Sequence, residues 1–444
     1  MKKKINHILP ALVLTASLGL TTVSCNGFLD EMPDNRTELN TDQKIAKLLV
    51  SAYADVSPNE LFELYSDNSD DSGPTYGYYK LSEQECYHWQ DTKEEYQDTP
   101  NSLWGGYYSA IAAANMALNA IEEKGNPASL DPQRGEALVC RAYCHFMLAN
   151  IFCNAYDTHA SQSLGVPYME EVETTVSPRY ERGTLEEVYR KVERDLLEGI
   201  DLISDDSYSV PKYHFTRKAA YAFAARFYLY YMKPDFSNCD RVIDFATRVL
   251  GTNPADLLRN WEALGNLSVN GNVQADAYIA SSNEANLLIS STVSNWGAIG
   301  SDYLIGPRYF HNQTLATSET CLSSGLWGSS DYFYLKPFST NGFVASILRK
   351  SGLYEGTYLY YMPVLFSTDE TLLCRAEAYA LKKMYAQSAA DITSWQRAYT
   401  RNKSVLTPEQ INTYYDRMSF YTPFTQQTPV SYTHLRAHET RHDL

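Results

Sequence analysis

Apolar residues recur three or four positions apart along most of the chain, which is the spacing of one face of an α-helix. The first such stretch is 41–56, where Thr41 or Asp42 stands in the position of a helix cap. The same periodicity predicts further helices over 104–121, 133–154, 184–202, 216–231, 238–250, 368–384 and 386–399.

Local signals set the ends of several of these helices. Thr184 with Glu187 three residues later forms the pattern of a capping box, and Pro132 precedes the helix over 133–154. Gly125-Asn126-Pro127 stops the helix before it. Alanines are concentrated in 216–231, where they allow two helices to approach closely. Paired helices of this kind predict a mainly α fold, a tetratricopeptide-like helix-turn-helix solenoid.

Two stretches lack helical periodicity. Residues 67–77 are rich in Asp, Asn, Ser and Gly and are predicted to form a loop. Residues 253–363 are rich in Gly, Ser, Asn and Tyr, which predicts an irregular, loop-rich insertion with a few short strands.

The N-terminus has the pattern of an export signal. Three lysines at 2–4 precede an apolar run over 8–20, shorter than the about 20 residues that span a bilayer. The run ends at Thr22-Val23-Ser24-Cys25, which resembles a lipobox, although Thr22 replaces the usual leucine. We therefore expect 1–24 to be a lipoprotein signal peptide, Cys25 to be lipidated, and 25–40 to be a tether. The alternative is a plain signal peptide with an unrelated cysteine.

The amino-acid composition excludes some classes of binding partner. The net charge of −16 argues against nucleic acid, because phosphate binding requires clustered Lys and Arg. The eight cysteines follow no regular spacing, so no disulfide framework is expected. The 36 tyrosines serve helix packing or contact with carbohydrate or peptide, and composition does not separate these uses.

Possible catalytic and metal motifs are weak. His438-Glu439-Thr440-Arg441-His442 matches a zinc-protease pattern, but it lies in 429–444, which reads as a foreign tail. Cys140, Cys144 and His145 share an apolar helix and are expected to be buried. Asp67, Ser69 and Asp71 resemble a calcium loop only faintly, because Gly73 is displaced and Tyr78 replaces the final glutamate. We expect no metal, no cofactor and no catalytic residue.

Several motifs, in order along the chain, together resemble the SusD/RagB family of outer-membrane nutrient-binding lipoproteins. The start, Cys25-Asn26-Gly27-Phe28-Leu29-Asp30, is typical of that family, and Asp30-Glu31 is similar to the surface-export signal of Bacteroidetes lipoproteins. The other motifs are Trp104-x-x-Tyr107-x-x-x-Ile111-x-x-x-Asn115, Glu136-Ala137-x-x-x-Arg141-Ala142-Tyr143, Gly165-Val166-Pro167-Tyr168, Thr184-x-x-Glu187-Val188-Tyr189, Lys218-Ala219-Ala220-x-x-x-x-Ala225-Arg226 and Glu370-Thr371-Leu372-Leu373-x-Arg375-Ala376-Glu377-Ala378.

The resemblance implies a binding protein and not an enzyme. Family members carry four tetratricopeptide-like helix pairs and sit on a SusC-like, TonB-dependent outer-membrane transporter, to which they pass oligosaccharides or peptides. It also implies that Arg141, Arg226 and Glu377 are scaffold residues in buried or half-buried ion pairs and caps. The family-like domain covers 41–428 and is shortened at its C-terminal end, because the resemblance stops near Thr428.

A glycan site requires exposed aromatic rings for the apolar face of a sugar and polar side chains for its hydroxyls. Two loop regions offer this combination, and the resemblance implies that they build the ligand face. The candidate residues are Asp70, Asp71, Tyr76, Tyr78 and Trp89 in the first region and Trp296, Tyr303, Arg308 and Trp327 in the second. Packing within long loops is the alternative use of each aromatic residue.

The predicted function is capture of a glycan at the cell surface for delivery to the transporter, with the protein held at the outer membrane by its lipid. Uptake of peptides or another nutrient remains open, as does an adaptor solenoid that binds only protein. A surface hydrolase is a further alternative, because paired carboxylates need only proximity in space.

Overall fold

The described part of the chain is a helical scaffold with a strand-containing insertion. The computed structural model describes residues 39–66, 69–74, 80–175, 178–268, 273–294, 308–310, 326, 336–338, 342–344, 354–355 and 358–417. The helices in chain order are α1 Asp42–Leu49, α2 Asn59–Leu64, α3 Leu81–Tyr87, α4 Pro100–Glu123, α5 Asp131–Phe152, α6 Leu185–Leu202, α7 Arg217–Tyr230, α8 Cys239–Leu250, α9 Trp261–Gly265, α10 Val273–Ile279, α11 Thr368–Leu381, α12 Tyr385–Tyr399 and α13 Pro408–Tyr415.

The long helices begin where their capping residues predict. The Thr184 hydroxyl accepts a hydrogen bond from Glu187 N at 3.2 Å, and the Glu187 carboxylate accepts one from Thr184 N at 2.9 Å, so the capping box at α6 is formed. Thr41 and Thr216 cap α1 and α7 in the same way, through Lys44 N and Ala219 N. The mainly α, tetratricopeptide-like prediction is confirmed.

Successive helices pack into layers around a core rich in alanine and aromatic residues. Helix α4 packs on α5, α5 on α6, α7 on α8, and α11 on both α8 and α12. Helices α5 and α6 approach most closely at Gly135 and Gly199, where backbone lies against backbone. The buried alanines of α7, among them Ala219 and Ala224, allow the neighbouring helices to pack closely.

The chain also forms short antiparallel strands, most of them in the insertion and two, β1 and β9, outside it. They are β1 Asp70–Asp71, β2 Asn286–Ile289, β3 Thr292–Val293, β4 Tyr309–Phe310, β5 Lys336–Phe338, β6 Gly342–Val344, β7 Tyr354–Glu355, β8 Tyr358–Tyr361 and β9 Val364–Ser367. Strand β1 pairs with β4, β2 with β9, β5 with β6, and β8 with both β3 and β7.

Two local predictions need correction. Residues 67–77 were expected to form a loop, but Asp70–Asp71 forms β1, because its backbone finds a partner far along the chain in β4. The insertion was expected to contain only loops and strands, yet it holds the short helices α9 and α10. Helix α9 forms because the Asn260 side chain caps it by accepting a hydrogen bond from Ala263 N at 2.9 Å.

Buried ion pairs tie the helices together, as expected for Arg141 and Arg226. Arg141 Nε donates to Asp195 Oδ2 at 2.6 Å, and this pair joins α5 to α6. Arg226 of α7 makes two hydrogen bonds to the Glu370 carboxylate of α11, at 2.5 and 2.6 Å. Glu377, the third predicted scaffold residue, is exposed. It lies on the outer side of α11, so the prediction of burial there was wrong.

The cysteines and His145 belong to the core. Cys140, Cys144 and His145 are buried on α5, as predicted, and the described cysteines form no disulfide. The two ring nitrogens of His145 are occupied by Arg141 O, at 2.9 Å, and by Met169 N, at 3.0 Å. None of the helices in the described ranges combines the length and apolar character needed to cross a bilayer.

Candidate functional site

Two parts of the chain that lie more than two hundred residues apart meet at the pairing of β1 with β4. Asp71 lies opposite Tyr309 in the register, and Ser72 N donates to Arg308 O at 2.9 Å. These two parts are the loop regions in which the sequence predicts a ligand face. The structure therefore brings together one described segment from each of them.

A bidentate ion pair fixes this junction. Arg308 Nε and Nη2 donate to Asp71 Oδ1 and Oδ2, each at 2.6 Å, and Gly73 N donates to Oδ1 at 2.8 Å. Burial raises the pKa of the Asp71 carboxyl, but the hydrogen bonds from Arg308 and Gly73 outweigh it and hold the pKa below its ordinary value. Asp71 thus stays ionised, and the planar fork of Arg308 stays in one orientation.

An exposed tryptophan lies just past the end of α3. Trp89 follows the helix with a φ of 56°, a left-handed conformation usually taken by Gly or Asn. The residue is 54 % exposed, and its ring makes an edge contact with the Tyr65 ring at a centroid distance of 4.8 Å. Keeping a bulky residue in this conformation has a small energetic cost, and such backbone outliers cluster at functional sites.

Aromatic stacking connects the tryptophan segment to the ion pair. Tyr87, two residues before Trp89, is buried and stacks on Tyr309 at 4.6 Å with ring planes 29° apart. His88 meets the edge of the same Tyr309 ring at 6.0 Å. Because Tyr309 directly follows Arg308, this stack holds α3 against β4. We call the surface formed by Trp89, Asp71 and Arg308 the β1–β4 face.

The predicted site residues divide into three groups. Asp71 and Arg308 form the ion pair of the β1–β4 face, and Trp89 is connected to it through Tyr87, two residues earlier, which stacks on Tyr309. Asp70 is 7 % exposed, and its carboxylate accepts a hydrogen bond from Asp71 N at 2.9 Å, so it supports the turn. The others lie outside the described residues: Tyr76, Tyr78, Trp296, Tyr303 and Trp327, as do Cys25 and the motif at 438–442.

Sequence reasoning missed the supporting tyrosines. Tyr65 ends α2, a short helix without a predicted counterpart, and Tyr87 ends α3. The signal available was their position: Tyr87 lies within the aromatic-rich first loop region, two residues before Trp89, and Tyr65 lies just before that region. Their roles depend on contacts with distant residues, which the sequence pattern does not contain.

Metal binding finds no support on this face. In the described part of the chain, no three His, Cys, Asp or Glu side chains are grouped so that they could hold a metal ion. The carboxylate of Asp71, proposed as one ligand of a faint calcium loop, is instead occupied by Arg308 and Gly73.

A family model of SusD-like proteins, described as starch-binding and associating with the outer membrane, matches residues 27–229. Over these residues the chain is similar to the SusD-like family. The match includes Trp89, helices α1 to α6 and most of α7. No curated protein sequence matches the SusD-like chain significantly.

Solved structures share its fold. A SusD superfamily protein of Bacteroides fragilis aligns at 16 % identity over 90 % of this chain and 87 % of its own, with a TM-score of 0.62. A SusD-like carbohydrate-binding protein of Bacteroides vulgatus aligns at 14 % identity over 84 % and 79 %, with a TM-score of 0.61. Surface glycan-binding protein A of Bacteroides uniformis aligns at 14 % identity over 84 % of both chains, with a TM-score of 0.59.

Proposed function

We propose that this SusD-like chain binds a glycan on its β1–β4 face, without catalysing a reaction on it. Two observations carry the proposal: the exposed Trp89, which follows the Tyr87–Tyr309 stack, and the fixed ion pair between Asp71 and Arg308. Similarity to a family described as starch-binding supports the same ligand class.

The chemistry of the face suits a sugar chain. The apolar C–H face of a sugar ring packs on the exposed indole, while the hydroxyls need partners that both donate and accept hydrogen bonds. The guanidinium of Arg308 supplies donors and the Asp71 carboxylate supplies acceptors. Because each is already held in place by the other, ordering them on binding has a low entropic cost.

We further propose that the protein is held at the outer membrane by lipid on Cys25 and passes its glycan to a SusC-like, TonB-dependent transporter. Support comes from the lipobox-like Cys25 and from the family's description as associating with the outer membrane. Replacing Cys25 by alanine should release the protein from the membrane fraction. Co-purification of the lipidated protein with a barrel partner tests the transporter.

The binding test uses the chain from Asn26 onward, since the described helices begin only at Asp42. Circular dichroism first confirms a folded helical protein. Titration calorimetry and gel retardation then measure binding to a panel of plant, host and microbial glycans. Saturable binding to one glycan class without released product is expected.

Two matched variants locate the site. Trp89→Ala should weaken glycan binding about tenfold or more, because the stacking surface is lost. Tyr385→Ala removes an aromatic ring of similar exposure, 52 %, at the start of α12 and should leave binding unchanged. Equal affinity in both variants would place the site elsewhere. Cleavage of the glycan would identify a hydrolase, and binding of peptides alone would replace the ligand class.

A further inference from the structure

A second candidate site lies inside the scaffold. A cavity of about 440 Å³ is enclosed by helices α4, α5 and α7, the segment 52–59, and strands β8 and β9. None of Asp71, Trp89 and Arg308 lines it, so the cavity is separate from the β1–β4 face. Its volume lies in the lower part of the range, about 300–1,000 Å³, that is usual for small-molecule sites.

Aromatic rings form both the floor and the rim of this cavity. Tyr107, Tyr143 and Phe215 are buried in its walls. Phe62 and Tyr230 are 40 % and 51 % exposed and also line it, so the cavity opens to solvent between two aromatic side chains. A flat ligand with apolar faces can therefore enter and be packed between rings.

Polar groups among these rings remain available for hydrogen bonds. Tyr107 is 2 % exposed, and its hydroxyl has no hydrogen-bond partner among the described residues. Burial raises the pKa of this hydroxyl well above its ordinary value, so it is a donor at every physiological pH. At the other wall, Asn59 Nδ2 donates to the Tyr361 hydroxyl at 3.0 Å, which leaves the Asn59 carbonyl oxygen as an acceptor.

The charges at the cavity are balanced. Arg226 and Glu370 both line it, and they neutralise each other through two hydrogen bonds. Because these two charges are satisfied by each other, the described lining gives an anionic or cationic ligand no unpaired opposite charge to offset its desolvation. The lining thus selects a neutral molecule that offers an apolar face and hydroxyl groups.

We propose that the cavity binds one neutral sugar ring, either a free monosaccharide or the terminal residue of a glycan. The volume admits one ring, the aromatic walls pack against its C–H faces, and the Tyr107 hydroxyl and the Asn59 carbonyl meet its hydroxyls. The cavity geometry is independent of the β1–β4 face, so either proposal can fail without the other.

Saturation-transfer NMR and calorimetry test the cavity with glucose, galactose, mannose and xylose as probes. Tyr107→Phe keeps the ring and removes the hydroxyl, and should weaken binding about five- to tenfold. Ala54→Phe adds a large side chain at a half-buried lining position and should abolish binding. Tyr385→Ala, at an exposed ring outside the cavity lining, should leave monosaccharide binding unchanged.

The methyl glycoside of a bound sugar distinguishes a free monosaccharide from the terminal residue of a glycan as the ligand. Equal affinity for the glycoside shows that a terminal glycan residue can enter, and exclusion of the glycoside shows a site for the free sugar. The proposal is overturned if the folded protein gives no saturation transfer to any probe. It is also overturned if Tyr107→Phe and Ala54→Phe, both folded by circular dichroism, bind as tightly as the wild type.

Discussion

A methyl group added at Gly199 tests the closest helix crossing in the scaffold. A Cβ atom at Gly199 of α6 would lie 2.6 Å from Val139 Cγ2 and 2.8 Å from the backbone oxygen of Gly135 on α5. A Cβ at Gly135 would likewise lie 2.8 Å from Gly199 O. Since the obstacle is backbone, a change of rotamer cannot relieve the contact, and the two helices must move apart.

The magnitude follows from two opposing effects. Alanine is better than glycine inside a helix by about 0.8–1 kcal/mol, which favours the variant. Overpacking of a tight interface costs about 1–3 kcal/mol, and a backbone clash lies toward the upper end. We therefore expect Gly199→Ala to lower the free energy of unfolding by about 1–2 kcal/mol.

Gly105→Ala is the matched control. Gly105 is also helical, in α4, but it is exposed and a Cβ there would meet nothing within 4 Å. This variant should be as stable as the wild type or more stable by up to about 1 kcal/mol. Urea unfolding followed by circular dichroism measures both. If Gly199→Ala proves as stable as Gly105→Ala, the crossing tolerates a side chain and the close-packing argument is wrong.

Three other outcomes are expected. Arg141→Met should lower the free energy of unfolding by about 3 kcal/mol, the lower end for a broken buried pair, because buried Asp195 loses Arg141 but keeps Arg194 as a partner. Burial lowers the pKa of His145 to about 3, whereas an unfolded histidine titrates near about 6.5. Between these two pH values, His145 is protonated in the unfolded chain but not in the folded one. The free energy of unfolding should therefore fall by about 1.4 kcal/mol per pH unit as the pH drops from about 6.5 to about 3. His145→Gln should remove that slope in unfolding experiments, while the exposed control His159→Gln should keep it. Among the described thiols, half-buried Cys153 should be alkylated first in the native protein, with the buried ones protected until unfolding.

The helices could be predicted from the sequence because their signals are local. Thr184 and Glu187 are three residues apart, and the side chain of each accepts a hydrogen bond from the backbone N–H of the other. This capping box therefore needs no contact with a distant part of the chain. Pro132 fits the first turn of α5 because the N–H groups of a first turn make no hydrogen bond within the helix, so the N–H that proline lacks is not needed there. The predicted ends of these helices therefore lie close to those in the structure.

For the β1–β4 face, the sequence indicates which types of residue are present but not how they pair. Polar and aromatic residues marked both loop regions, but the pairing of Asp71 with Arg308 joins residues 237 positions apart. A two-residue strand is too short to show an alternating pattern of apolar and polar residues, so no local sequence signal predicts it. The same pairing decides that Asp71 is an ion-pair partner and not a calcium ligand.

Many of the tyrosines serve the scaffold, so an aromatic residue such as Trp89 has to be judged by its surroundings. Tyrosine hydroxyls hold carboxylates within and between the elements of the scaffold. Tyr228 donates to Glu193 at 2.8 Å, and Tyr168 donates to Asp195 at 2.7 Å. A ring that fills core volume and ends in a hydrogen-bonding group suits such places. Aromatic content therefore does not locate a ligand site by itself. What distinguishes Trp89 is its exposure, which helix packing does not require. Its left-handed backbone serves to end α3, where Trp89 N donates to Cys86 O and Gln90 N donates to Glu85 O.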